Sequence, residues 1–504
     1  HVQVFDDTGK EVAAQVLTRS GNNYKIAFVA DVASMGYRTY KVVPSATAST
    51  VKSELSVDRN GLSNDKYTVS IDANGDISSV VEKTTGKELL NNPIRLGLFN
   101  EGYIYWAAWE LNIDDYAFKK PQAYVSGTPT VEVVENGPAR VSLQITRAYG
   151  ESTYEQTVSL TKGGQVVAVD NVVDWNERGK LLKAEFDLTS SNPTATYDLG
   201  LGVIKRGNNE KQSSDTSGQN KAEVPVQKWA DLSAKDNSYG VSILNDCKYG
   251  MDKYNDSTLR LSLIHTPGND YDHGGDAQAT ADENYGPAGM TVQEVGENRF
   301  AYGIYGHSGT AGESDVQLEA EAFNQPMNAF QTDSHAGALG GNYSFGSISN
   351  DKVLVRALKK AERSDEIIVR FNEGSGTPAQ DVAFSLGSGI ESFREVYASE
   401  EDVPKDEAVK ASIQNGKLVF DIGAYGVKTF ALTLKKADTK AAALKTKSVD
   451  LPYNIDVYSS NAKKADGGFN LIGDAYAAEL VPNSFVSAGI PYTTGSKKDG
   501  DKNA

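Results

Sequence analysis

Cysteine is nearly absent from this chain, since Cys247 is the one cysteine among 504 residues. A single cysteine cannot form an intrachain disulfide, so the fold has to be stabilised by buried surface rather than by cross-links. Long apolar runs are missing too, because no stretch reaches the roughly 18 apolar residues that a membrane-spanning helix needs. No basic segment precedes an apolar one at the amino terminus. The sequence therefore predicts neither a membrane span nor a signal peptide.

Positive charge is also scarce. The chain has 50 Lys and Arg against 67 Asp and Glu, which gives a formal net charge of -17. Nucleic-acid binding draws most of its affinity from Lys and Arg that neutralise phosphates, so this balance argues against a nucleic-acid partner. A neutral ligand such as a sugar fits better. A hydrophobic fraction of 39% describes an ordinary globular chain and argues against wholesale disorder.

Metal-binding patterns are missing as well. The chain has five histidines, and no two of them have the HxH or HExxH spacing that brings two imidazoles onto one zinc ion. The acidic loop at residues 269–283 fails the EF-hand pattern, because Gly274 and Ala281 stand where oxygen ligands belong. We predict no metal site in this chain. The loop is interpreted as solvated surface, from which Tyr271, His273 and Tyr285 could reach a sugar.

Signatures of nucleophilic and phosphate chemistry are not found either. There is no GxSxG motif, and Cys247 has no neighbouring histidine, so we interpret this cysteine as a buried, inert thiol. The glycine-rich run at residues 337–341 lacks the Lys-Ser/Thr ending of a phosphate loop. These absences argue against GxSxG hydrolases and against phosphate-loop enzymes.

What the chain does have is alternation of apolar and polar residues over short runs, the pattern of half-buried antiparallel strands. Tyr67–Ile71 and residues 77–81 alternate in this way, and Asn74-Gly75 between them is predicted to supply both positive-φ positions of a tight hairpin. Similar runs follow at 131–134, 140–148, 154–160, 166–173, 181–188, 240–244, 258–264 and 300–305. They predict a large antiparallel sandwich. Runs at 353–358, 366–371, 417–422 and 427–434 predict a smaller one, with few and short helices.

One segment places indoles beside acidic residues. Residues 106–115 read WAAWELNIDD, in which Trp106, Trp109 and Glu110 could form a platform for a sugar. The alternative is that both tryptophans belong to the sandwich core. Composition leaves both interpretations open.

Several motifs in one order make the chain resemble the carboxyl-terminal β region of the α-mannosidases of glycoside hydrolase family 38, particularly the bacterial type. The motifs are FVADVASMGYRTYKVVP at 28–44, YTVSIDANGDISSVVEKTTGKELL at 67–90, YWAAWELNID at 105–114 and VVDWNERGKLLKAEFDL at 172–188. The best match runs over 224–267, with VPVQKWADLS, YGVSILNDCKYGMD and LRLSLIHTP. EAFNQP at 321–326 and AYGVKTFALTL at 424–434 resemble the family's terminal sandwich.

The resemblance implies an all-β fold with a large antiparallel β-supersandwich, galactose mutarotase-like, and a smaller sandwich. The implied domains are the end of a small β domain at 1–50, the supersandwich at 51–320 and the terminal β-sandwich at 321–435. A linker at 436–450 and the start of a truncated, jelly-roll-like accessory β domain at 451–504 follow. Because the chain opens HVQVFDDTGKEV and closes GSKKDGDKNA, we expect an internal fragment of a longer polypeptide.

The resemblance also implies an exo-α-mannosidase that acts with retention of configuration. Its carboxylate nucleophile, its acid/base and its divalent cation, usually zinc, are expected on an amino-terminal α/β domain outside this sequence. No catalytic residue and no cofactor is therefore assigned within the chain. Its partners are expected to be α-mannoside glycans and that catalytic domain, on which this region packs while it sends loops to the pocket rim.

Rim residues are predicted around the segment 224–267. His265 comes first, as a departure from the family, in which arginine is frequent at this position; Arg260 and Arg299 are substitutes as donors to hydroxyls. Asp246 and Tyr249 are further candidates. Asn245-Asp246 and Lys248-Tyr249-Gly250 could equally form a turn that fixes sandwich packing.

Two rival functions remain open. A carbohydrate-binding or adhesive β module could share this architecture without hydrolysis, since a fold does not determine a function. A lyase or mutarotase-like enzyme complete within the supersandwich would need His or Tyr with carboxylates in one cleft. The low cysteine content suits a bacterial protein, expected to be extracellular or at the cell surface, with a cytoplasmic location as the alternative.

Overall fold

A computed structural model describes residues 1–100, 111, 116–177, 179–210, 222–266 and 295–435. Residues 1–435 form one compact unit, and residues 436–504 lie outside the described residues. Within the described ranges the regular structure consists of 35 β-strands and one α-helix. The predicted all-β fold is confirmed.

Alternating burial explains why these residues form strands. In Val167–Trp175 the residues Val167, Val169, Val173 and Trp175 are buried, while every second side chain points the other way. β-Branched valines fit this pleated, half-buried surface. The same period-two pattern occurs in Tyr67–Ile71.

The chain begins with small sheets of two and three strands. Strand β1 lies between β2 and β6, β3 pairs with β4, and β5 pairs with a strand much later in the chain, β27. Their bounds are β1 (Val2–Asp6), β2 (Glu11–Val12), β3 (Ala14–Ser20), β4 (Asn23–Phe28), β5 (Gly36–Arg38), β6 (Tyr40–Pro44) and β27 (Asn342–Ser344).

A five-stranded sheet follows, in the order β11-β10-β9-β8-β7. Its bounds are β7 (Ser56–Asp58), β8 (Gly61–Ser63), β9 (Tyr67–Ile71), β10 (Ile77–Glu82) and β11 (Lys87–Glu88). The hairpin from β9 to β10 is present as predicted, but its turn is different. Gly75 has a φ of +81°, whereas Asn74 is not among the residues with positive φ. Asp72 Oδ1 instead accepts the N–H groups of Asn74 and Asp76 at 2.9 and 3.0 Å, so the loop needs one left-handed residue rather than two.

The large sandwich is built from two further sheets. The narrow sheet has the order β13-β12-β18-β25-β24-β21, and the wide sheet has the order β14-β15-β16-β17-β26-β23-β22-β19-β20. The narrow sheet contains β12 (Arg95–Asn100), β13 (Ala123–Tyr124), β18 (Lys180–Asp187), β21 (Val224–Pro225), β24 (Gly250–Lys253) and β25 (Thr258–Thr266). The wide sheet contains β14 (Thr130–Asn136), β15 (Arg140–Tyr149), β16 (Ser152–Thr161), β17 (Val167–Trp175), β19 (Thr194–Asp198), β20 (Val203–Gly207), β22 (Trp229–Ser233), β23 (Tyr239–Asn245) and β26 (Gly296–Ser308).

One continuous apolar core fills this sandwich. It joins Leu143 and Trp175 of the wide sheet to Phe186 and Leu261 of the narrow sheet, and the five-stranded sheet adds residues such as Val69. Each of these side chains is almost completely buried. Burial on this scale is the stabilising term that a chain without disulfides needs.

The single described helix, α1 (Val316–Asn324), lies on the outer face of the wide sheet. Its buried Val316 and Ala320 pack against Trp229, Leu244 and Tyr305. Among the described residues no helix is long and apolar enough to cross a membrane.

The terminal sandwich consists of two four-stranded sheets in the orders β28-β31-β34-β33 and β29-β30-β35-β32. Phe371, Phe384, Phe420 and Phe430 form its centre, with ring centroids 4.6 to 6.2 Å apart in the contacting pairs. The bounds are β28 (Gly346–Ile348), β29 (Val353–Lys360), β30 (Ile367–Glu373), β31 (Ala379–Leu386), β32 (Ile390–Val396), β33 (Ala411–Gln414), β34 (Lys417–Ile422) and β35 (Val427–Leu434). The exact domain boundaries stay predictions.

Candidate functional site at one end of the large sandwich

Several strand ends meet at one end of the large sandwich. In the narrow sheet Asn100 pairs with Lys180, and Lys180 pairs with Thr266, the last residue of β25. In the wide sheet Trp175 pairs with Gly296, the first residue of β26. The indole N–H of Trp175 donates to the Thr266 hydroxyl and so joins the two sheets. We call this region, defined by these residues, the Thr266 end.

Two ranges outside the described residues begin at the Thr266 end, because Asn100 and Thr266 are the last described residues before residues 101 and 267. The acidic loop at 269–283 lies in the second range. The first range contains the predicted sugar platform: Trp106, Trp109 and Glu110. The platform and its core alternative both stay predictions.

His265 and Tyr249 of the predicted rim lie toward the Thr266 end. His265 immediately precedes Thr266 on β25 and is half-buried. Tyr249 directly precedes β24 and is 55% exposed. Strands β24 and β25 are antiparallel, with Met251 opposite Leu261, so the start of β24 points to the same end as the close of β25.

Arg299 lies on β26 of the wide sheet, and Asp246 directly follows β23 of the same sheet. Asp246 Oδ1 accepts the N–H of Ala301 at 2.9 Å, and the Asp246 N–H donates to the Ala301 carbonyl at 3.3 Å. Arg299 is two residues away on β26, and its exposed guanidinium forms a 2.8 Å ion pair with Glu297. Asp246 thus fastens a turn to β26, whereas the Arg299 side chain extends into solvent.

The turn after β23 connects the wide sheet to the narrow sheet. Asn245 Oδ1 accepts the N–H of Lys248 at 2.9 Å, and its amide donates to the Gln227 carbonyl at 2.7 Å. Cys247 in this turn is exposed, so the prediction of a buried thiol is wrong. Although the residue is exposed, partial desolvation of its sulfur and the adjacent Asp246 carboxylate raise the pKa of the thiol to about 12, which keeps it protonated and unreactive at neutral pH.

Arg260 is fully buried on the outer face of the narrow sheet. Its Nε donates to Asp252 Oδ2 at 2.9 Å, its Nη1 to the Lys119 carbonyl at 3.0 Å and its Nη2 to the Tyr116 carbonyl at 3.2 Å. The ring of Tyr254 lies 4.6 Å from its Cζ. These contacts anchor residues 116–119 to β25. Contact between Arg260 and a sugar stays a prediction.

Lys183 completes a four-charge cluster with Arg260, Asp252 and Glu223, which we call the charge cluster. Lys183 Nζ donates to Glu223 Oε2 at 2.6 Å, to Asp252 Oδ1 at 2.8 Å and to Ser262 Oγ at 2.7 Å. Lys183, Asp252 and Arg260 have no exposed surface. Burial alone would raise the pKa of Asp252, but the Lys183 and Arg260 charges outweigh it and hold the pKa below its usual value.

The charge cluster stabilises the fold and lacks the geometry of a catalytic site. Its two cations and two carboxylates compensate each other within hydrogen-bonding distance, as buried charges require. A glycosidase pair needs two carboxylates that face a sugar from either side, and fully buried Asp252 cannot do so. Tyr116 packs over Lys183 Nζ at 4.2 Å from its ring centroid and closes the cluster from outside.

Sequence reasoning found Arg260 but missed Lys183, Glu223 and Asp252. A signal was available for Lys183. Lys183 stands among apolar neighbours in LLKAEF, and Asp252 lies in a short strand that the alternation pattern did not reveal. A charged residue within an apolar run indicates a buried ion pair, because a buried charge needs a partner of opposite sign.

The described residues do not fit a metal ion. Among them no group of three or more His, Cys, Asp or Glu side chains could hold one. The neighbouring carboxylates Asp252 and Glu223 are neutralised by Lys183. No chemical step through a metal is therefore assigned to the described part of the chain.

Family models match the regions of both sandwiches. The model of the glycosyl hydrolases family 38 C-terminal domain matches residues 62–273, and that of the family 38 C-terminal beta sandwich domain matches residues 352–430. The two matches together cover more than half of the chain. The chain belongs to glycoside hydrolase family 38. A further model, an AziU2-like beta-sandwich domain, matches residues 445–504.

Relatives of this family 38 chain are α-mannosidases. Alpha-mannosidase G of Dictyostelium discoideum is 29% identical over 325 residues, which are 62% of this chain and 27% of that protein. Human alpha-mannosidase 2C1 is 28% identical over 383 residues, 73% of this chain and 34% of that protein. The chain thus spans about a quarter to a third of the length of these curated relatives.

A solved structure shares the fold. The crystal structure of an alpha-mannosidase from Enterococcus faecalis superimposes with a TM-score of 0.66 at 17% identity, over 86% of this chain and 51% of that one. At this level of identity the match establishes the arrangement of strands and nothing about specificity.

Proposed function

We propose that this chain is the non-catalytic carboxyl-terminal part of an exo-α-mannosidase that hydrolyses terminal α-mannosides with retention of configuration. The observation that carries the proposal is that both matching family 38 models describe carboxyl-terminal domains, while the mannosidase relatives are about three to four times as long as the matched region. The nucleophile, the acid/base and a divalent cation, zinc by family resemblance, belong to a catalytic domain outside this sequence.

In this proposal the Thr266 end faces that catalytic domain and forms part of the pocket rim. The charge cluster supports it, because Arg260 ties β25 to residues 116–119 and Lys183 ties β18 to β24. A rim that rests on fixed strands positions side chains more precisely than one built on unsupported loops. His265 is the first proposed rim contact, with Tyr249 and Arg299 as further contacts.

The proposed partners are α-mannoside glycans and the chain's own catalytic domain. A net charge of -17 suits a neutral glycan better than a polyanion. We also propose a bacterial source, which the single cysteine suits, and an extracellular or cell-surface location, with a cytoplasmic location as the alternative.

The direct test is an assay of purified residues 1–504 with an aryl α-mannoside and added zinc. We expect no release of aryl alcohol above the buffer rate. Turnover that a catalytic-site inhibitor suppresses would show that the catalytic groups lie within the chain.

The rival function, a carbohydrate-binding or adhesive module, makes a different prediction about the parent gene. The coding sequence upstream of His1 should then specify another sandwich or a wall anchor. The proposal made here requires an α/β region that carries His and Asp metal ligands.

A further inference from the structure

A polar cavity lies at the end of β26 opposite to the Thr266 end. Strand β26 begins at Gly296 and ends at Ser308, and 13 residues in a strand span roughly 40 Å. The cavity has a volume of about 320 Å³ and is lined from several elements by Lys66, Glu82, Thr84, Tyr305, His307 and Asp315. None of these residues belongs to the Thr266 end or to the charge cluster.

Lys66 is the cation of this cavity. Its Nζ donates to the Gly306 carbonyl at 3.1 Å and lies 4.4 Å from the ring centroid of Tyr305 and 5.2 Å from that of Tyr67. An ammonium group has three N–H donors. With one hydrogen bond to the described residues and two aromatic faces beside it, Lys66 retains donor capacity toward the cavity. Burial lowers the pKa of Lys66, and nearby carboxylates partly offset this.

Carboxylates supply the acceptors. Asp315, just before α1, forms a 2.7 Å ion pair with Lys352, and its side chain is 58% exposed. Glu82 is 6% exposed and accepts the N–H of Thr85 at 3.1 Å. Glu319 of α1 lies close enough to influence Lys66, and burial raises the pKa of this carboxyl group. The cavity therefore combines one central ammonium with several oxygen acceptors.

His307 gives the cavity a fixed wall rather than a catalytic group. Its Nε2 contacts Asp231 Oδ2 at 2.7 Å and Ser242 Oγ at 3.2 Å, so both oxygens share one ring nitrogen. A serine triad places Ser and Asp on opposite nitrogens. The ring also stacks on Tyr305, with centroids 5.5 Å apart. His307 thus holds Tyr305, and with it the face on which Lys66 rests, in one position.

The mixed charges that line the cavity favour a neutral ligand over an ion. An anion would meet Glu82 and Asp315, and a cation would meet Lys66, so either would face repulsion at short range. A neutral molecule with many hydroxyl groups can accept from Lys66 and donate to the carboxylates at once. A volume near 320 Å³ is at the lower limit of ligand pockets, which suits one ring rather than a chain of rings.

We propose that this cavity, around Lys66, Tyr305 and Asp315, binds one neutral sugar residue. The inference does not depend on hydrolysis by this chain or by a longer enzyme. It assigns to the large sandwich a saccharide-binding site of its own.

The test is calorimetric titration of the full chain with methyl α-D-mannopyranoside and with methyl β-D-galactopyranoside. Lys66→Met removes the central donor but keeps most of the side-chain volume. Thr84→Leu adds apolar bulk at an exposed position of the lining without touching the core. Lys360→Met is the matched control, because Lys360 forms an exposed ion pair on the terminal sandwich. Circular dichroism and melting temperature establish that each variant is folded.

We expect at least one of the two glycosides to bind the wild-type chain and the Lys360→Met variant equally. Lys66→Met and Thr84→Leu should each weaken that binding tenfold or more. Inorganic phosphate and putrescine at the same concentration should not compete. The proposal is overturned if neither glycoside binds, if binding survives both cavity variants, or if phosphate or putrescine displaces the sugar.

Discussion

At the scale of single residues, Lys183 has a fully buried ammonium group whose charge must be compensated by neighbouring carboxylates. An ammonium group without exposed surface is tolerated because Asp252 and Glu223 lie within 2.8 Å of its Nζ. Replacing a whole buried ion network by apolar groups can be neutral, whereas removing one partner leaves uncompensated charge. Lys183 is therefore the residue whose loss the fold should tolerate least.

Lys183→Met is expected to lower the free energy of unfolding by about 3–5 kcal/mol, because Asp252 and Glu223 lose their shared cation. Urea denaturation followed by tryptophan fluorescence measures the change. Lys180→Met on the same strand is the control, since Lys180 contacts Asn100 at an exposed position. Lys180→Met should lower the free energy of unfolding by less than about 1 kcal/mol. Equal effects of the two substitutions would contradict a structural role of the charge cluster.

Lys253 should make stability depend on alkaline pH. Burial lowers the pKa of its amine to about 8, and it is 1% exposed. Between pH 8 and the unfolded value near 10.5 the unfolded chain binds a proton that the folded chain does not, so the free energy of unfolding rises with pH. Between pH 7.5 and pH 10 we expect the free energy of unfolding of the wild type to rise by roughly 1–3 kcal/mol relative to that of Lys253→Met. A difference between the two proteins that does not change with pH would disprove this.

His265 is expected to affect substrate binding in the intact enzyme. If it is a rim contact, His265→Ala should raise KM for an aryl α-mannoside about tenfold, which is about 1.4 kcal/mol, and leave kcat within a factor of about two. His335→Ala is the control, because His335 is an exposed histidine in the segment after α1. An unchanged KM in His265→Ala would remove this residue from the rim.

At the scale of elements, α1 joins the two sandwiches. Glu321 of α1 forms a 2.6 Å ion pair with Lys228 before β22 and a second ion pair with Arg356 of β29. Arg356 Nη2 also donates to the Gly200 carbonyl at 2.9 Å, between β19 and β20. Burial would raise the pKa of Glu321, but these two cations more than offset it, so the carboxylate stays ionised.

Glu321→Ala is expected to loosen this junction and to lower the free energy of unfolding by about 1–2 kcal/mol, since Lys228 and Arg356 lose their common partner. Trp229 reports the change, because its indole N–H donates to Gln317 of α1 at 3.0 Å. Glu362→Ala is the control, because it removes an exposed ion pair on the terminal sandwich. Its free energy of unfolding should stay within about 0.5 kcal/mol of the wild-type value. If Glu321→Ala leaves the midpoint of the unfolding transition reported by Trp229 unchanged, the coupling of the two sandwiches through α1 is contradicted.

The elements that the sequence predicts best are those with one solvated and one buried face. The sequence of β9 alternates strictly, and β17 alternates in burial, so the pattern predicts both. β24 was not, because Asp252 and Lys253 are charged yet buried, and only their partners on other strands make this acceptable. Helix α1 escaped prediction because its buried stripe amounts to Val316 and Ala320. Likewise the sequence proposed Arg260 as a rim donor but could not reveal that Asp252 and backbone carbonyls engage it.

At the scale of the whole molecule, the described sandwiches form one compact unit whose candidate rim lies at the Thr266 end. The curated relatives extend far beyond the matched region. The central claim is that this region supports catalysis by a domain encoded outside it.

Complementation measures that claim most directly. The polypeptide encoded upstream of His1 is produced separately, loaded with zinc and assayed with an aryl α-mannoside while residues 1–504 are added in increasing amounts. We predict that each part alone is inactive or nearly so and that activity rises to saturation at a one-to-one ratio. An upstream part that is fully active alone and unchanged by residues 1–504, or residues 1–504 that hydrolyse the substrate unaided, would contradict it.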